Sequence, residues 1–289
     1  MESRRESEKK KLKRSEILEK KKAIDQSIKA ASAQTDQLAS FPPFRCFNRN
    51  GLCVRLESGR GDKLSPCMKQ CIQSLLKANM EGPYGSEWAA EEKVKRREMV
   101  APEARYIFVH SNANEMTVDD APSPSPLLGF VHYRFTVEQE ITVLYLYEIQ
   151  LDSSVQGKGL GKFLMHLIEL IARKNHMGAL VLTVQKANSL AMKFYMSKLR
   201  FVISSISPSR VNPLVGVENN YEILCKTFDP DAKAILEVYS VQCRCYYHVI
   251  YILLNSSICI LQCSNENPCF CSKCRCHVRV TCSNTILTY

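Results

Sequence analysis

The sequence predicts an α/β (α+β) domain, a mixed central β-sheet flanked by helices, with a helical N-terminal arm in front of it. Three observations carry that expectation. Tyr145-Leu146-Tyr147-Glu148-Ile149-Gln150-Leu151 is rich in aromatic and β-branched residues and reads as a strand, and Leu160, Leu164, Leu167, Ile168 and Ile171 follow it at helical spacing. Ala179 to Val184 is a continuous apolar run, as expected of a strand covered on both faces. Shorter segments before residue 145 pair locally, so a series of strands precedes a strand–helix–strand–helix–strand order.

Taken in order, residues 1–40 form a basic arm. Its apolar positions Leu12, Ile17, Leu18, Ala23, Ile24 and Ile28 make a partial helical stripe. Phe41-Pro42-Pro43 ends the connector into a folded domain expected over 41–228. Within that domain, Gly51 to Leu56 alternates as a first strand, Leu64 to Met80 reads as a helix, and a charged helix runs from Ala89 to Met99. Arg105 to His110, Leu127 to Phe135 and Val143 to Leu151 are strands, the last two a hairpin, and residues 111–126 are a proline-rich loop. The helix after the glycine-rich turn reaches Asn175. Ser189 to Lys198 is another helix, and Phe201 to Ser204 and Asn220 to Cys225 close the sheet. Residues 229–289 are a Cys-rich tail, expected to be poorly ordered.

Of 289 residues, 45% are hydrophobic and 24% charged, the balance of a soluble globular chain. The net charge is +10, and residues 1–30 hold 11 Lys/Arg against 6 Asp/Glu, so about half of the excess belongs to the arm. The cluster Lys9-Lys10-Lys11-Leu12-Lys13-Arg14 fits a nuclear import signal, a nucleic-acid patch or a solvated helix face. The N-terminus lacks the apolar core of a secretory signal. No run reaches the ~18 apolar residues of a membrane span, and the nearest, Tyr246 to Leu261, is broken by His248, Asn255, Ser256 and Ser257. Nine of 14 cysteines follow residue 240, and the other five lack metal-site spacing, which favours a reducing compartment. Cys269, Cys271, Cys274, Cys276 and His277 are dense enough for a soft metal but lack two separated ligand pairs. No metal is expected to be required.

Chemistry concentrates in the turn Gln156-Gly157-Lys158-Gly159-Leu160-Gly161. A glycine-rich passage from strand into helix leaves backbone N–H groups at a helix N-terminus, where they and the helix dipole suit a phosphate. Glycines there remove the Cβ atoms that would hold a diphosphate off the backbone. Alone, Gly-x-Gly-x-Gly also fits a loop that merely needs positive φ, and its spacing is tighter than the usual dinucleotide fingerprint. The pattern Gln/Arg-x-x-Gly-x-Gly/Ala resembles the pyrophosphate loop of the GCN5-related N-acetyltransferase (GNAT) superfamily. The later stretch Asn188 to Phe201 resembles the same family's Asn-x-x-Ala-x-x-Phe-Tyr-x-x-x-Gly-Phe, with Arg200 standing where glycine is usual.

The resemblance implies a GNAT fold and acetyl-CoA as cosubstrate. It implies that Gln150, Leu151, Asp152, Gln156, Gly157, Lys158, Gly159, Leu160, Gly161, Lys162, Phe163, Asn188 and Tyr195 hold it, with backbone near Gln150 to Asp152 donating to the thioester carbonyl and Tyr195 near the sulfur. Asn48 to Leu52, Ser86-Glu87-Trp88, Tyr145-x-Tyr147-Glu148-x-Gln150-Leu151, Ser207-Pro208-Ser209 and Tyr221 to Leu224 are similar to one branch of the family. That branch is the NatD type, N-terminal α-amine acetyltransferases specific for core histones four and two-A. By resemblance Tyr84, Trp88, Thr136, Val137, Glu138, Tyr147, Glu148, Thr183, Ser207 and Tyr221 line the peptide site. Thr136 stands where the branch usually has aspartate, and Gln156-Gly157 where it has basic residues.

Aminolysis of a thioester needs a neutral amine, a donor for the carbonyl oxygen and a proton for the leaving sulfur. Glu148, beside Tyr147, is the candidate base acting through water, and Tyr195 the candidate proton source. Alternation along the strand puts Tyr145 and Tyr147 on one face and Glu148 on the other. Aromatic walls near carboxylates suit a cationic peptide end, though the same residues also fit cross-strand packing with a solvated glutamate. An α-amine, with a pKa of about 7.7–8.0 against roughly 10.4 for lysine, is more readily neutral. The expectation is therefore a monomeric enzyme acting on histone N-terminal tails, with no auxiliary subunit, no membrane partner and no nucleic acid required, in nucleus and cytoplasm. A lysine or small-amine acetyltransferase and a non-catalytic CoA- or peptide-binding module are the alternatives.

Overall fold

The computed structural model describes residues 2–112, 126–216, 218–237, 269–271 and 276–279. The Tyr246–Leu261 run, Cys274 and most of the 111–126 loop lie outside the described residues. Residues 1–239 form one compact unit and 240–289 another. In the second, Cys269–Cys271 and Cys276–Arg279 pair as an antiparallel ladder. Among the described residues no helix is long and apolar enough to cross a membrane.

The first unit is built on an eight-stranded sheet: β1 (Cys46–Arg49), β2 (Leu52–Arg60), β3 (Arg105–Ser111), β4 (Leu127–Glu138), β5 (Ile141–Leu151), β6 (Ala179–Gln185), β7 (Val202–Ile203) and β8 (Tyr221–Thr227). The spatial order is β1-β2-β3-β4-β5-β6-β8-β7. Every pairing is antiparallel except β5 with β6. This is the mixed sheet with flanking helices that the sequence predicts, with an N-terminal helix in front.

Helix α1 (Glu2–Ala33) leads into β1 through short helical turns. Its expected apolar stripe is only partly used. Ile17 and Leu18 are exposed, and packing begins near Ile28 and Ala31. Polar ties hold the arm instead: Lys20 Nζ to Glu140 Oε2 at 2.9 Å and Arg105 Nη2 to the Ser32 carbonyl at 2.9 Å. β1 is a strand that the sequence reading left out. It folds back on β2 through Asn50-Gly51, with φ of +55° and +69°, the positive-φ pair that a tight hairpin needs.

Helices α2 (Pro66–Tyr84) and α3 (Trp88–Glu98) cover one face of β3 and β4, with Ile72, Leu76 and Trp88 against Tyr106, Phe108 and Phe130. Ser65 Oγ caps α2 by accepting from the Met68 amide at 3.2 Å, and Pro66 opens its first turn. Helix α4 (Leu160–Lys174) covers the opposite face with Leu160, Leu164, Met165, Leu167, Ile168, Ile171 and Ala172 all buried. At ~1.5–3 kcal/mol for each large apolar side chain, this helix is the main clamp on the sheet. Helix α5 (Ser189–Lys193) continues as a π-helical turn over Phe194–Lys198. A further helix, Pro230–Leu236, begins after residue 228 and seals β6 and β8 with Ala232 and Leu236.

Candidate functional site

The site lies where β5 and β6 separate. Parallel pairing runs only from Val143↔Ala179 to Leu146↔Leu182. Beyond Leu146 the two strands diverge, and the β6-facing backbone of β5 has no strand partner there. At the same level the β4–β5 ladder slips: His132 opposes Glu148 but Tyr133 opposes Leu146, which leaves Tyr147 as an extra residue. The bulge corrects the expectation from simple alternation. Tyr147 stacks on His132 at 4.9 Å and tilts against Tyr145 at 5.2 Å, while Glu148 sits directly opposite His132. Tyr145, Tyr147 and Glu148 therefore share the face covered by α2 and α3. Period-two counting fails because one inserted residue shifts the phase of everything after it.

Glu148 is buried and doubly held. Its Oε1 meets the Lys95 ammonium and its Oε2 accepts from Gln150 Nε2 at 2.8 Å. Asn79 Nδ2 in turn donates to Gln150 Oε1 at 2.9 Å and to the Leu151 carbonyl at 3.0 Å. Burial works against the Lys95 charge, but Glu148 beside it outweighs that and raises its pKa. Burial also raises the Glu98 carboxyl, with Lys95 and Arg134 opposing. Lys95 and Asn79 escaped sequence reasoning, since a lysine in a charged helix and an asparagine in an amphipathic one carry no local mark.

Behind this network is a cavity lined by Ile72, Leu76, Lys95, Glu98, Met99 and Tyr106, with Phe130, His132 and Glu148 closing it. The Nε2 of His132 is buried without a partner. Burial first, then Arg134 and Lys95, push its pKa down to about 3, so the ring is neutral.

Outside Glu148 the face becomes a mouth. Tyr145 Oη and Thr183 Oγ1 share a hydrogen bond at 2.6 Å, and Glu138 and Tyr221 lie close enough to act on Tyr145 electrostatically. Burial raises both Tyr145, to about 12, and the Glu138 carboxyl. The Arg134 guanidinium lies 4.4 Å from the Tyr147 ring centroid. Tyr84 and Trp88 meet at 6.0 Å, and Asn220 Nδ2 bonds Glu87 from the opposite side. Thr136 is half-buried and Val137 exposed on the same hairpin. Ser207 stands apart: it is fully buried, donates to Glu222 Oε2 at 2.6 Å and accepts from the Ile223 amide at 2.8 Å. It braces β8 and does not face the mouth.

The glycine turn leads from β5 into α4. Gly157 (φ +73°) and Gly159 (φ +87°) are left-handed, and a Cβ at Gly157 would meet open space. Gly159 is the N-cap of α4, with no side chain capping the helix. Among the described residues no hydrogen-bond partner is recorded for the amides of Gly157 to Lys162. Lys158 and Lys162 flank them. This arrangement fits the diphosphate of a coenzyme. The third glycine differs from expectation: Gly161 is inside the first turn of α4, where a Cβ would touch Phe194 at 3.6 Å.

Other expected coenzyme contacts are partly committed elsewhere. The Asp152 amide donates to the Leu128 carbonyl at 2.8 Å, so it is no donor to a thioester. Gln156 Nε2 bonds the Leu151 carbonyl at 2.9 Å. Asn188 Oδ1 caps α5 by accepting from the Ala191 amide at 3.0 Å. The Phe163 ring stacks on Phe44 at 4.8 Å and meets Phe47 at 5.1 Å, a packing role. Tyr195 is buried in the π-helical turn, with its pKa raised by burial and by the Glu148 charge. π-Helical turns cluster at functional positions. Among the described residues no group of three or more His, Cys, Asp or Glu is placed to hold a metal.

Residues 72–201 match the acetyltransferase (GNAT) family. Similar solved structures include a GNAT-family acetyltransferase from Listeria monocytogenes, at 14% identity over 63% of this chain and 99% of that one, TM-score 0.42. Another is the PaiA N-acetyltransferase of Thermoplasma acidophilum in complex with coenzyme A, at 19% identity over 60% and 99%, TM-score 0.40. A third is Arabidopsis thaliana Naa50 in complex with a bisubstrate analogue, at 18% identity over 61% and 99%, TM-score 0.39.

Proposed function

We propose that this chain, whose residues 72–201 match the GNAT acetyltransferase family, acetylates the free α-amine of a peptide chain end. The acceptor we propose is the N-terminal serine of core histones four and two-A. The match over residues 72–201 supports an acetyl-CoA-dependent acetyltransferase; the acceptor and the residue roles are our reading. The observation that carries it is the bulge at Tyr147. It gathers Tyr145, Tyr147 and the Glu148 carboxylate on one face at the point where β5 and β6 part.

Acetyl-CoA, when bound, supplies a thioester whose carbonyl carbon the amine attacks. Gly157 to Lys162 would hold its diphosphate on free amides. Tyr145, Tyr147 and Tyr221 would wall in the peptide end, and Glu138 would meet a cationic side chain that follows it. Glu148, acting through a water, would take the ammonium proton. Tyr195, kept protonated by burial, would hold the proton that the departing sulfur needs. As the new C–N bond forms, the C–S bond breaks, the nitrogen's second proton passes through solvent to restore Tyr195, and no covalent enzyme intermediate is required. No auxiliary subunit is needed on this reading, and the basic cluster Lys9 to Arg14 supports a nuclear as well as a cytoplasmic pool.

The test uses a Ser-Gly-Arg-Gly peptide, with its α-amine free or blocked, and a matched lysine peptide. Acetylation of the free form alone is expected. Transfer to the blocked or lysine peptide would replace the proposal with ε-amine chemistry, and coenzyme binding without any transfer would make the protein a binding module. Glu148→Gln should lower kcat about a hundred-fold or more, the low end of the range for a general base.

A further inference from the structure

The family match begins at residue 72, yet the β1–β2 hairpin, which lies wholly before it, reaches the glycine turn. The side chain of Asn50, at the tip of the hairpin, donates from Nδ2 to the Lys158 carbonyl at 2.9 Å across 108 residues of chain. A Cβ on Gly159 would come within 3.6 Å of that same nitrogen, so the two turns touch. The Phe44 and Phe47 rings pack on Phe163 in the first turn of α4. The hairpin therefore grips the turn twice, once at its backbone and once below the helix start.

We infer that Asn50 is a positioning residue for acetyl-CoA, which orients the Lys158–Gly159 peptide so that the turn presents its amides to the diphosphate. The inference rests on the reading that this turn holds the diphosphate. Its physical basis is the planar trans peptide, in which the carbonyl and the following N–H point in opposite directions. Fixing the Lys158 oxygen toward the hairpin fixes the Gly159 N–H on the side away from it. Without that tie, the Lys158–Gly159 peptide is less restrained, because left-handed Gly159 on one side of it has no Cβ. Ligand binding would then have to order the turn, which weakens affinity. Asn50 suits the position doubly: its own φ of +55° is one that asparagine tolerates, and its amide supplies the donor.

Two variants separate these properties. Asn50→Gly keeps the left-handed turn and removes the donor. Asn50→Asp keeps the shape and replaces the donor with an acceptor facing the Lys158 oxygen. Each is assayed with acetyl-CoA and with acetyl-pantetheine, which carries the same thioester but no diphosphate. KM for acetyl-CoA is expected to rise about five- to ten-fold, the effect of losing one positioning hydrogen bond of about 1 kcal/mol, and more for Asn50→Asp. The kcat and the KM for peptide should hold, and acetyl-pantetheine kinetics should be unchanged. Wild-type KM for acetyl-CoA in both variants overturns the inference, as does an equal loss with both donors, which would mean a merely structural hairpin. If the wild-type protein itself takes acetyl-CoA no better than acetyl-pantetheine, the diphosphate reading of the turn has failed, and the inference with it.

Discussion

The Lys95 ammonium and the Glu148 carboxylate form a buried ion pair, with side chains 12% and 9% exposed, joining α3 to the bulged end of β5. Gln150 and Asn79 complete the hydrogen bonding around it. A buried pair of this kind contributes little against an apolar alternative, but removing one member strands the other charge. Lys95→Met is therefore expected to destabilise the protein by about 3–5 kcal/mol, and Lys95→Arg by much less. Urea unfolding of the two variants beside the wild type measures this. Equal stability of Lys95→Met and wild type would show that Glu148 has another partner in solution.

His132 predicts a pH dependence. Its folded pKa is depressed to about 3 by burial and by the neighbouring Arg134 and Lys95, against about 6.5 in an unfolded chain. Above pH ~6.5 both states leave the ring neutral. As pH falls below that value the unfolded chain binds a proton that the folded one refuses, so stability is lost progressively toward pH 3. His132→Phe preserves stacking between Tyr106 and Tyr147 and removes the titrating group. Its unfolding free energy should change less between pH 6.5 and 4.5 than the wild type's, by up to ~1.4 kcal/mol per pH unit. Parallel curves would mean that the ring is hydrated and titrates normally.

Arg200 occupies a left-handed turn, with φ of +64°, where the related motif usually has glycine. A side chain there costs about 1–2 kcal/mol relative to a right-handed residue, a cost that glycine escapes while losing more entropy on folding. Arg200→Gly should thus raise stability by about 0.5–1 kcal/mol, with activity unchanged, as a thermal melt and a turnover assay would show. A lower melting temperature would reveal a stabilising contact of the Arg200 side chain.

Much of the fold was legible because its signals are local. The apolar spacing of Leu160, Leu164, Leu167, Ile168 and Ile171 is a property of one helix. The run Ala179 to Val184 announces a covered strand wherever it is placed. Left-handed glycines at 157 and 159 are demanded by a turn only a few residues long, and Arg200 shows the same demand met by a costlier residue. Even the missed strand β1 had a local sign, Asn50-Gly51, between two short apolar segments.

The sequence by itself thus determined most of the secondary elements, a mixed sheet with flanking helices and the glycine turn at the start of α4. Only the tertiary structure decided which way Glu148 faces, since the bulge at Tyr147 arises from how β4 and β5 pair and has no mark in either strand alone. It also decided that Lys95 and Asn79 surround the carboxylate, that Ser207 turns inward, and that Asn50 reaches Lys158. These are contacts between residues far apart in the chain. Side-chain chemistry permits many such partners, and packing of the whole sheet selects among them.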